Sequence, residues 1–127
     1  MKSNKILVKS KNYFLRENDL LERTFWSAVD CILFLRTLPN SSEYSVIKCQ
    51  LTKSATSTGV NYEESQADSS RADFKNKVRI SLREARESNY WLCVLNAIDN
   101  QTSVDLDKLI KQSNEIKNVL GSIVNKI

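Results

Sequence analysis

The stretch that decides the fold reads RADFKNKVRISLREARESNYWLCVLNAI over residues 71–98. Small and apolar side chains recur in it at steps of three and four residues. Because an α-helix turns once every 3.6 residues, this spacing predicts a long amphipathic helix with one inward stripe. The stripe consists of Phe74, Val78, Ser81, Leu82, Ala85, Ser88 and Leu92.

A first helix is predicted well before this stretch, over about residues 19–38. Asn18 and Asp19 can cap its start, and Pro39 ends it because proline lacks the backbone N–H that a helix needs. Apolar residues again recur at helical steps, so they are expected to face the core. They are Leu21, Phe25, Ala28, Val29, Ile32 and Leu35.

Two more helices are predicted, over about residues 43–65 and 104–126. Ser42 can cap the second helix and Ser103 the fourth. The inward face of the second helix is small and polar, so we expect packing against neighbouring helices to stabilise it more than its own helix propensity does. That face consists of Ile47, Leu51, Ser54, Thr58, Asn61 and Tyr62.

Four helices joined by short loops predict an all-α protein, an antiparallel, up-down-up-down four-helix bundle. The chain has 127 residues, which is enough for one core, and only two glycines and one proline, which leaves little material for hairpins. We assign residues 18–127 to the bundle domain. Residues 1–17 carry five cations against one acid and are predicted to form a basic arm.

Composition places the chain among soluble globular proteins, with 41% apolar and 27% charged residues. The three cysteines show no CxxC spacing, and we expect free, buried thiols in a reducing compartment. The N-terminal sequence lacks the apolar region and cleavage site of an export signal, and no segment is long enough to span a bilayer. We therefore expect a cytoplasmic protein that does not use a membrane as partner.

The sequence contains no recognisable set of catalytic residues. The chain contains no histidine, which excludes Ser-His triads and histidine metal sites. Glu84 and Glu87 form a Glu-x-x-Glu pair that could only approximate a di-metal site with Glu63 and Glu64. There is no glycine-rich phosphate loop either. We expect no enzyme activity, no metal and no cofactor.

Two segments carry a family resemblance. Residues 50–64, QLTKSATSTGVNYEE, and the third-helix residues 71–74, 77 and 80–92 resemble the signature of the four-helix-bundle proteins encoded in intervening sequences of bacterial 23S ribosomal RNA genes. The likeness runs from about Leu21 to the end of the chain. It departs from the family at Ala55, Thr58 and Tyr62, where we expect local repacking of the second helix.

The resemblance implies a left-handed bundle. Relatives, including the accessory variability determinant proteins of diversity-generating retroelements, form homopentamers that bind nucleic acid and a reverse transcriptase. The resemblance therefore favours a homo-oligomer, a pentamer, with RNA or DNA or a nucleic-acid enzyme such as a reverse transcriptase as its possible partner. Membership in a family does not by itself assign that role to this chain.

The polar positions that match the family signature are Ser54, Asn61, Glu64, Lys77, Glu84 and Glu87. We interpret them as a structural network. Ser54 and Asn61 lie on the inward face of the second helix and would need hydrogen bonds to the third. Lys77 lies on the same side of the third helix as Glu84, which fits an ion-pair network. The alternative is a buried polar site for a ligand.

One face of the third helix favours binding to nucleic acid. Five cations fall within a sector roughly 120° wide, whereas Asp73, Glu84 and Glu87 point elsewhere. Such a face can follow a phosphate backbone, and an aromatic side chain at its end can stack on a base. We name this face the basic stripe; it consists of Arg71, Lys75, Arg79, Arg83 and Arg86, with Tyr90 at its end.

The sequence thus predicts a nonenzymatic, sequence-tolerant, nucleic-acid-binding oligomer. Two alternatives stay open. The stripe can serve solubility, or it can pair with acids on a neighbouring subunit. The protein would then be an oligomeric interaction scaffold that does not bind nucleic acid directly.

Overall fold

The computed structural model describes residues 19–67, 70–99 and 103–127, and four α-helices account for nearly all of them. In chain order they are α1 (Leu20–Leu35), α2 (Ser42–Ala67), α3 (Arg71–Ile98) and α4 (Val104–Lys126). No strand occurs within these three ranges. The predicted all-α four-helix bundle is therefore confirmed, while the predicted basic arm over residues 1–17 lies outside the described residues.

Side-chain caps begin the helices. Asp19 Oδ1 accepts from the backbone N–H of Leu21 at 2.9 Å. Ser70 Oγ accepts at the start of α3 and Ser103 Oγ at the start of α4. Each cap satisfies a backbone donor that the first helical turn leaves unpaired.

Two details of the predicted helix ends are wrong. The cap of α2 is Ser41, whose hydroxyl accepts from the N–H of Tyr44 at 3.3 Å, and Ser42 is already helical. Helix α1 ends at Leu35. The next residues form tighter turns, in which the N–H of Leu38 donates to the carbonyl of Leu35.

Each helix packs against its two neighbours around the bundle, α1 on α2, α2 on α3, α3 on α4, and α4 back on α1. Lys77 of α3 bonds to Glu64 of α2, and Ser88 further along α3 bonds to Ser54, which lies earlier on α2. Residue numbers therefore rise on one helix as they fall on the other. The two helices are antiparallel, while the left-handed sense of the bundle stays a prediction.

The core has two apolar clusters, one toward each end of the bundle. The first includes Leu35, Leu51 and Leu92, and the second includes Val78 and Leu120. Small polar side chains are buried in addition to these clusters, and two of their hydrogen bonds join α2 to α3. These buried polar residues are Thr24, Ser54, Thr58, Ser65, Ser81, Ser88 and Ser113.

The predicted inward face of α1 is wrong in part. Phe25 is 55% exposed and Leu21 37% exposed, whereas Thr24, Trp26 and Cys31 are buried. Helix α1 is therefore rotated about its axis relative to the prediction. The apolar periodicity marks a real stripe, but part of that stripe lies on the surface.

The cysteines also differ from the prediction. All three are free, yet only Cys31 is buried, and Cys49 and Cys93 are exposed. Burial, together with the nearby charge of Asp30, raises the pKa of the Cys31 thiol to about 12. A buried neutral thiol packs as a small apolar group.

None of the four described helices combines the length and apolar character that crossing a membrane requires.

Candidate nucleic-acid interface

The basic stripe lies on the outward side of α3. Four of its cations, Arg71, Arg79, Arg83 and Arg86, are exposed, and Lys75 is half-buried. No member forms an ion pair with any residue in the described ranges. The stripe therefore presents charges that no described carboxylate neutralises.

Tyr90 lies one helical turn beyond Arg86 and is 60% exposed. Its ring meets that of Trp91 edge to face, with centroids 5.1 Å apart and planes at 77°. Trp91 is half-buried against the core and donates from Nε1 to Glu87 at 3.1 Å. Tyr90 is thus supported from one side by a fixed aromatic residue while most of its surface remains in solvent.

Buried polar side chains link α2 to α3. Ser88 Oγ donates to Ser54 Oγ at 2.9 Å, and Ser81 Oγ donates to the carbonyl of Thr58 at 2.7 Å, so α2 and α3 are joined by buried hydrogen bonds. Asn61 does not take part, because its amide donates to the carbonyl of Ser57 in its own helix. These bonds satisfy polar groups that would otherwise destabilise the core.

Lys77 pairs across the helix interface. Its Nζ lies 2.7 Å from Glu64 Oε1 on α2. The sequence analysis paired Lys77 with Glu84 of the same helix, and that pairing stays a prediction. The ion pair with Glu64 therefore fixes the register of α3 on α2. The two side chains are 32% and 50% exposed, which makes the pair a modest contributor to stability.

An open groove of about 700 Å³ lies between α3 and α4, beside the basic stripe. Asn89 on α3 donates to Asn114 on α4 at 3.0 Å and accepts from Lys117 Nζ at 3.4 Å, which holds the two helices together beyond one end of it. We call it the polar groove; its lining residues are Arg86, Lys117, Asn118, Gly121, Ser122, Asn125 and Lys126.

Sequence reasoning did not find the polar groove. Helical periodicity on α3 and on α4 shows which residues share a face of one helix, but not which faces of two helices become neighbours. The available signal was the run from Lys117 to Lys126 on α4, which contains two cations and no acid. Only the antiparallel pairing of α4 with α3 places these lysines near Arg86.

A second groove, of about 370 Å³, lies between α1 and α2. It is mainly apolar, and Phe25 and Val60 line it with more than half of their surface exposed. We call it the apolar groove; its lining residues are Leu21, Thr24, Phe25, Ala28, Val29, Ile32, Thr56, Gly59, Val60 and Glu63. A contiguous exposed apolar surface of this kind is typical of an interaction site.

No cluster of three or more cysteine, aspartate or glutamate side chains with metal-binding geometry occurs in the described part of the chain. The carboxylates of the Glu63–Glu64 and Glu84–Glu87 pairs do not converge there. What the described residues bring together is cationic and amide side chains on one side of the bundle and apolar side chains on another.

Comparison with known proteins gives a family but no activity. The crystal structure of a protein of unknown function from the S23 ribosomal protein family of Bacteroides thetaiotaomicron is similar, with a TM-score of 0.75 and 33% sequence identity. The match covers 84% of this chain and 98% of that one. No curated protein shows significant similarity to the chain. The family model described as 23S rRNA-intervening sequence protein matches residues 16–122. The chain therefore belongs to the 23S rRNA-intervening sequence protein family.

Proposed function

We propose that this protein is a nonenzymatic, sequence-tolerant, nucleic-acid-binding oligomer that contacts phosphates through the basic stripe of α3. The observation that carries the proposal is the stripe itself: five cations on one helix face, four of them exposed, and none paired with a described carboxylate. Side chains that are not committed to internal ion pairs can exchange their counterions for phosphates without breaking the fold.

The proposed contacts are to phosphates and not to base edges, which determines the sequence specificity of binding. Phosphate contacts position a nucleic acid and carry no sequence information directly, so the protein should bind many sequences with similar affinity. Tyr90 can add stacking on an unpaired base, which every base permits. Several copies of the stripe in an oligomer would act together on one polymer and raise the effective affinity.

The salt dependence of binding tests the proposal. If all five cations contact phosphates, log affinity should fall against log salt with a slope of about −3.5 for a single strand and about −4.5 for a duplex. The measurement is fluorescence anisotropy with labelled single- and double-stranded RNA and DNA at two or more salt concentrations. The mass of the protein in solution is recorded in parallel.

The variant Arg79→Glu with Arg83→Glu should abolish this binding while the helical content and oligomer mass stay unchanged. A matched control is Lys53→Glu with Lys108→Glu, which makes the same change in net charge at two exposed lysines outside the stripe and the polar groove. Binding that survives in the first variant would show that the stripe is not the site. An absence of binding by the wild-type protein at low salt would overturn the proposal.

The apolar groove favours an alternative, an oligomeric scaffold that does not bind nucleic acid directly. The family resemblance favours a homopentamer, and the apolar groove is the surface that we assign to contact between copies of the chain. In this alternative the basic stripe pairs with acidic residues of a protein partner, such as a reverse transcriptase. Failure of the isolated protein to bind any nucleic acid, together with a stable oligomer, would favour it.

A further inference from the structure

The polar groove between α3 and α4 indicates which form of nucleic acid the protein binds, an inference that rests on the proposed function. Three of its seven lining residues, Arg86, Lys117 and Lys126, are cations, and none is acidic. None of the three cations forms an ion pair within the described ranges. Lys117 Nζ donates to a neutral amide oxygen, Asn89 Oδ1, at 3.4 Å. Such a groove attracts an anion.

The other lining residues supply hydrogen bonds rather than apolar surface. Asn118 and Asn125 have both donors and acceptors, and so does Ser122. Amide and hydroxyl groups of this kind bind phosphate oxygens and sugar hydroxyls in complexes with nucleic acid. The combination of cations and neutral hydrogen-bonding groups therefore fits a sugar–phosphate backbone better than it fits an isolated small anion.

Gly121 leaves the backbone of α4 accessible at this groove. A Cβ atom added there would have no neighbour within 4 Å, so packing within the chain does not require glycine. Glycine nevertheless lowers the stability of a helix interior relative to alanine. Its presence leaves the floor of the groove open and allows a ligand to approach the backbone of α4 closely.

The position of the groove connects it to the basic stripe. Asn89 of α3 contacts Asn114 and Lys117 of α4, whereas Arg86, earlier on α3, lines the groove with α4 residues as late as Lys126, so the two helices are antiparallel and residues 117–126 run beside the α3 segment that precedes Asn89. Arg86 belongs to both surfaces. The cations of the stripe and those of α4 thus border the same length of the bundle.

We propose that the polar groove holds the backbone of single-stranded nucleic acid, and that the protein consequently prefers a single strand to a duplex. Six of the seven lining residues belong to α4 and one, Arg86, to α3, so the groove is a shallow strip along one side of α4 that a flexible single strand can follow. A duplex is a rigid cylinder that can touch the exposed stripe, but it cannot bend to follow the groove as a single strand can. Tyr90, one turn beyond Arg86, is placed to stack on a base of the bound strand.

The two glycines of the chain provide the test. Selective ¹⁵N-glycine labelling of the whole protein gives one amide signal from Gly121 in the polar groove and one from Gly59 on the far side, next to Thr24. Titration with a ten-nucleotide single strand should shift the Gly121 signal saturably and leave Gly59 in place. A duplex of the same length should shift Gly121 much less. Parallel titrations with oligouridine RNA and oligothymidine DNA show whether the groove binds an RNA backbone, a DNA backbone or both.

A pair of variants at one position provides the affinity test. Gly121→Glu places a carboxylate in the groove without a steric conflict at Cβ. Because a negative charge beside the phosphates repels them, single-strand affinity should fall about tenfold or more relative to Gly121→Gln, which has the same size without the charge. The ratio of single-strand to duplex affinity should fall with it. Ser45→Glu, at an exposed site on α2, controls for net charge.

The outcomes separate the two proposals. Salt-sensitive binding with no shift at Gly121, or equal shifts with single strand and duplex, would overturn the groove assignment and leave the stripe as the binding surface. Equal affinities of Gly121→Glu and Gly121→Gln would overturn it as well. An absence of all binding at low salt would instead overturn the proposed function, and the groove assignment with it.

Discussion

The two grooves on this bundle each contain one of its two glycines, and the glycines differ in what surrounds them. A Cβ atom at Gly59, in the apolar groove, would lie 3.3 Å from Thr24 Oγ1 and 3.5 Å from Thr24 Cβ. A Cβ atom at Gly121, in the polar groove, would meet nothing within 4 Å. Gly59 therefore lies where α1 packs closely on α2, and Gly121 has no such neighbour among the described residues.

The comparison separates features that the fold requires from features that the fold merely permits. The floor of the apolar groove is closed by packing between helices, and its exposed side chains are apolar. The polar groove is open because a small residue occurs where a larger one would fit, and its rim is cationic. The apolar groove therefore suits contact between protein surfaces, and the polar groove suits binding of an anionic polymer.

The largest expected effect concerns the apolar groove. Val60 lines it and Val46 does not, yet both lie on α2 and they are 54% and 55% exposed. We expect Val60→Asp to dissociate the proposed oligomer to monomers because a desolvated charge at a protein contact is unfavourable. Val46→Asp, the matched control, should leave the oligomer intact. Mass in solution, from light scattering at several concentrations, is the measurement.

Both substitutions occur at exposed positions, so the folded monomer should change in stability by only about 0.5 kcal/mol. Circular dichroism melts check this. A monomeric wild-type protein, or equal dissociation by both variants, would contradict the assignment of the apolar groove to contact between copies.

The apolar groove also shows where sequence reasoning stops. The periodicity of Leu21, Phe25 and Ile32 correctly indicates an apolar face of α1, but periodicity cannot show whether another helix of the same chain covers that face. All three cysteines were expected to be buried, but only Cys31 is, and Cys49 and Cys93 are exposed. Periodicity did not show which helix faces the rest of the chain covers. By contrast, the stripe on α3 was predictable because Val78, Leu82, Ala85 and Leu92 fix one inward direction, and the cations fall in a sector to one side of it.

The next largest effect is a pH dependence of stability that comes from Cys31, which is buried on the inward side of α1. Burial raises the pKa of its thiol from 9.0 to about 12, so between these values the unfolded chain releases a proton that the folded chain keeps. Stability is therefore fully present below pH 9 and falls above it. The free energy of unfolding should decrease by up to about 1.4 kcal/mol per pH unit from this group.

Urea unfolding of the wild-type protein and of Cys31→Ala, from pH 8 to pH 10.5, measures this effect. The difference between the two proteins isolates Cys31 from Tyr62, whose pKa burial also raises. Parallel curves above pH 9 would mean that solvent reaches the thiol in the folded protein, and that the core under the apolar groove is open.

Similar limits apply to the polar groove. The absence of acids from Lys117 to Lys126 is visible in the sequence, but its meaning depends on the neighbouring Arg86, which only the pairing of α3 with α4 supplies. Asn61 provides a smaller example. It was predicted to face inward and is half-buried at the edge of that face, and its choice of the carbonyl of Ser57 over a partner on α3 depends on local side-chain geometry.

The smallest expected effect tests the comparison of the two glycines directly, because the same substitution should have opposite signs. Gly121→Ala should raise the free energy of unfolding by about 1 kcal/mol, since alanine restricts the unfolded chain and favours a helix interior. Gly59→Ala gains the same propensity, but its Cβ presses on Thr24, which is 2% exposed and donates its hydroxyl to the carbonyl of Leu21 at 3.1 Å. Because Thr24 cannot readily move, we expect a net loss of about 1 kcal/mol.

Chemical unfolding of both alanine variants at one protein concentration decides between these signs. Equal stabilisation by both would mean that α1 and α2 can separate by a few tenths of an ångström, and that Gly59 is not a packing requirement. Destabilisation by Gly121→Ala would have a different meaning. Since no described atom outside the adjoining backbone of α4 lies within 4 Å of the added Cβ, the lost stability would point to another molecule on the polar groove, and a second copy of the chain would then compete with nucleic acid for that surface.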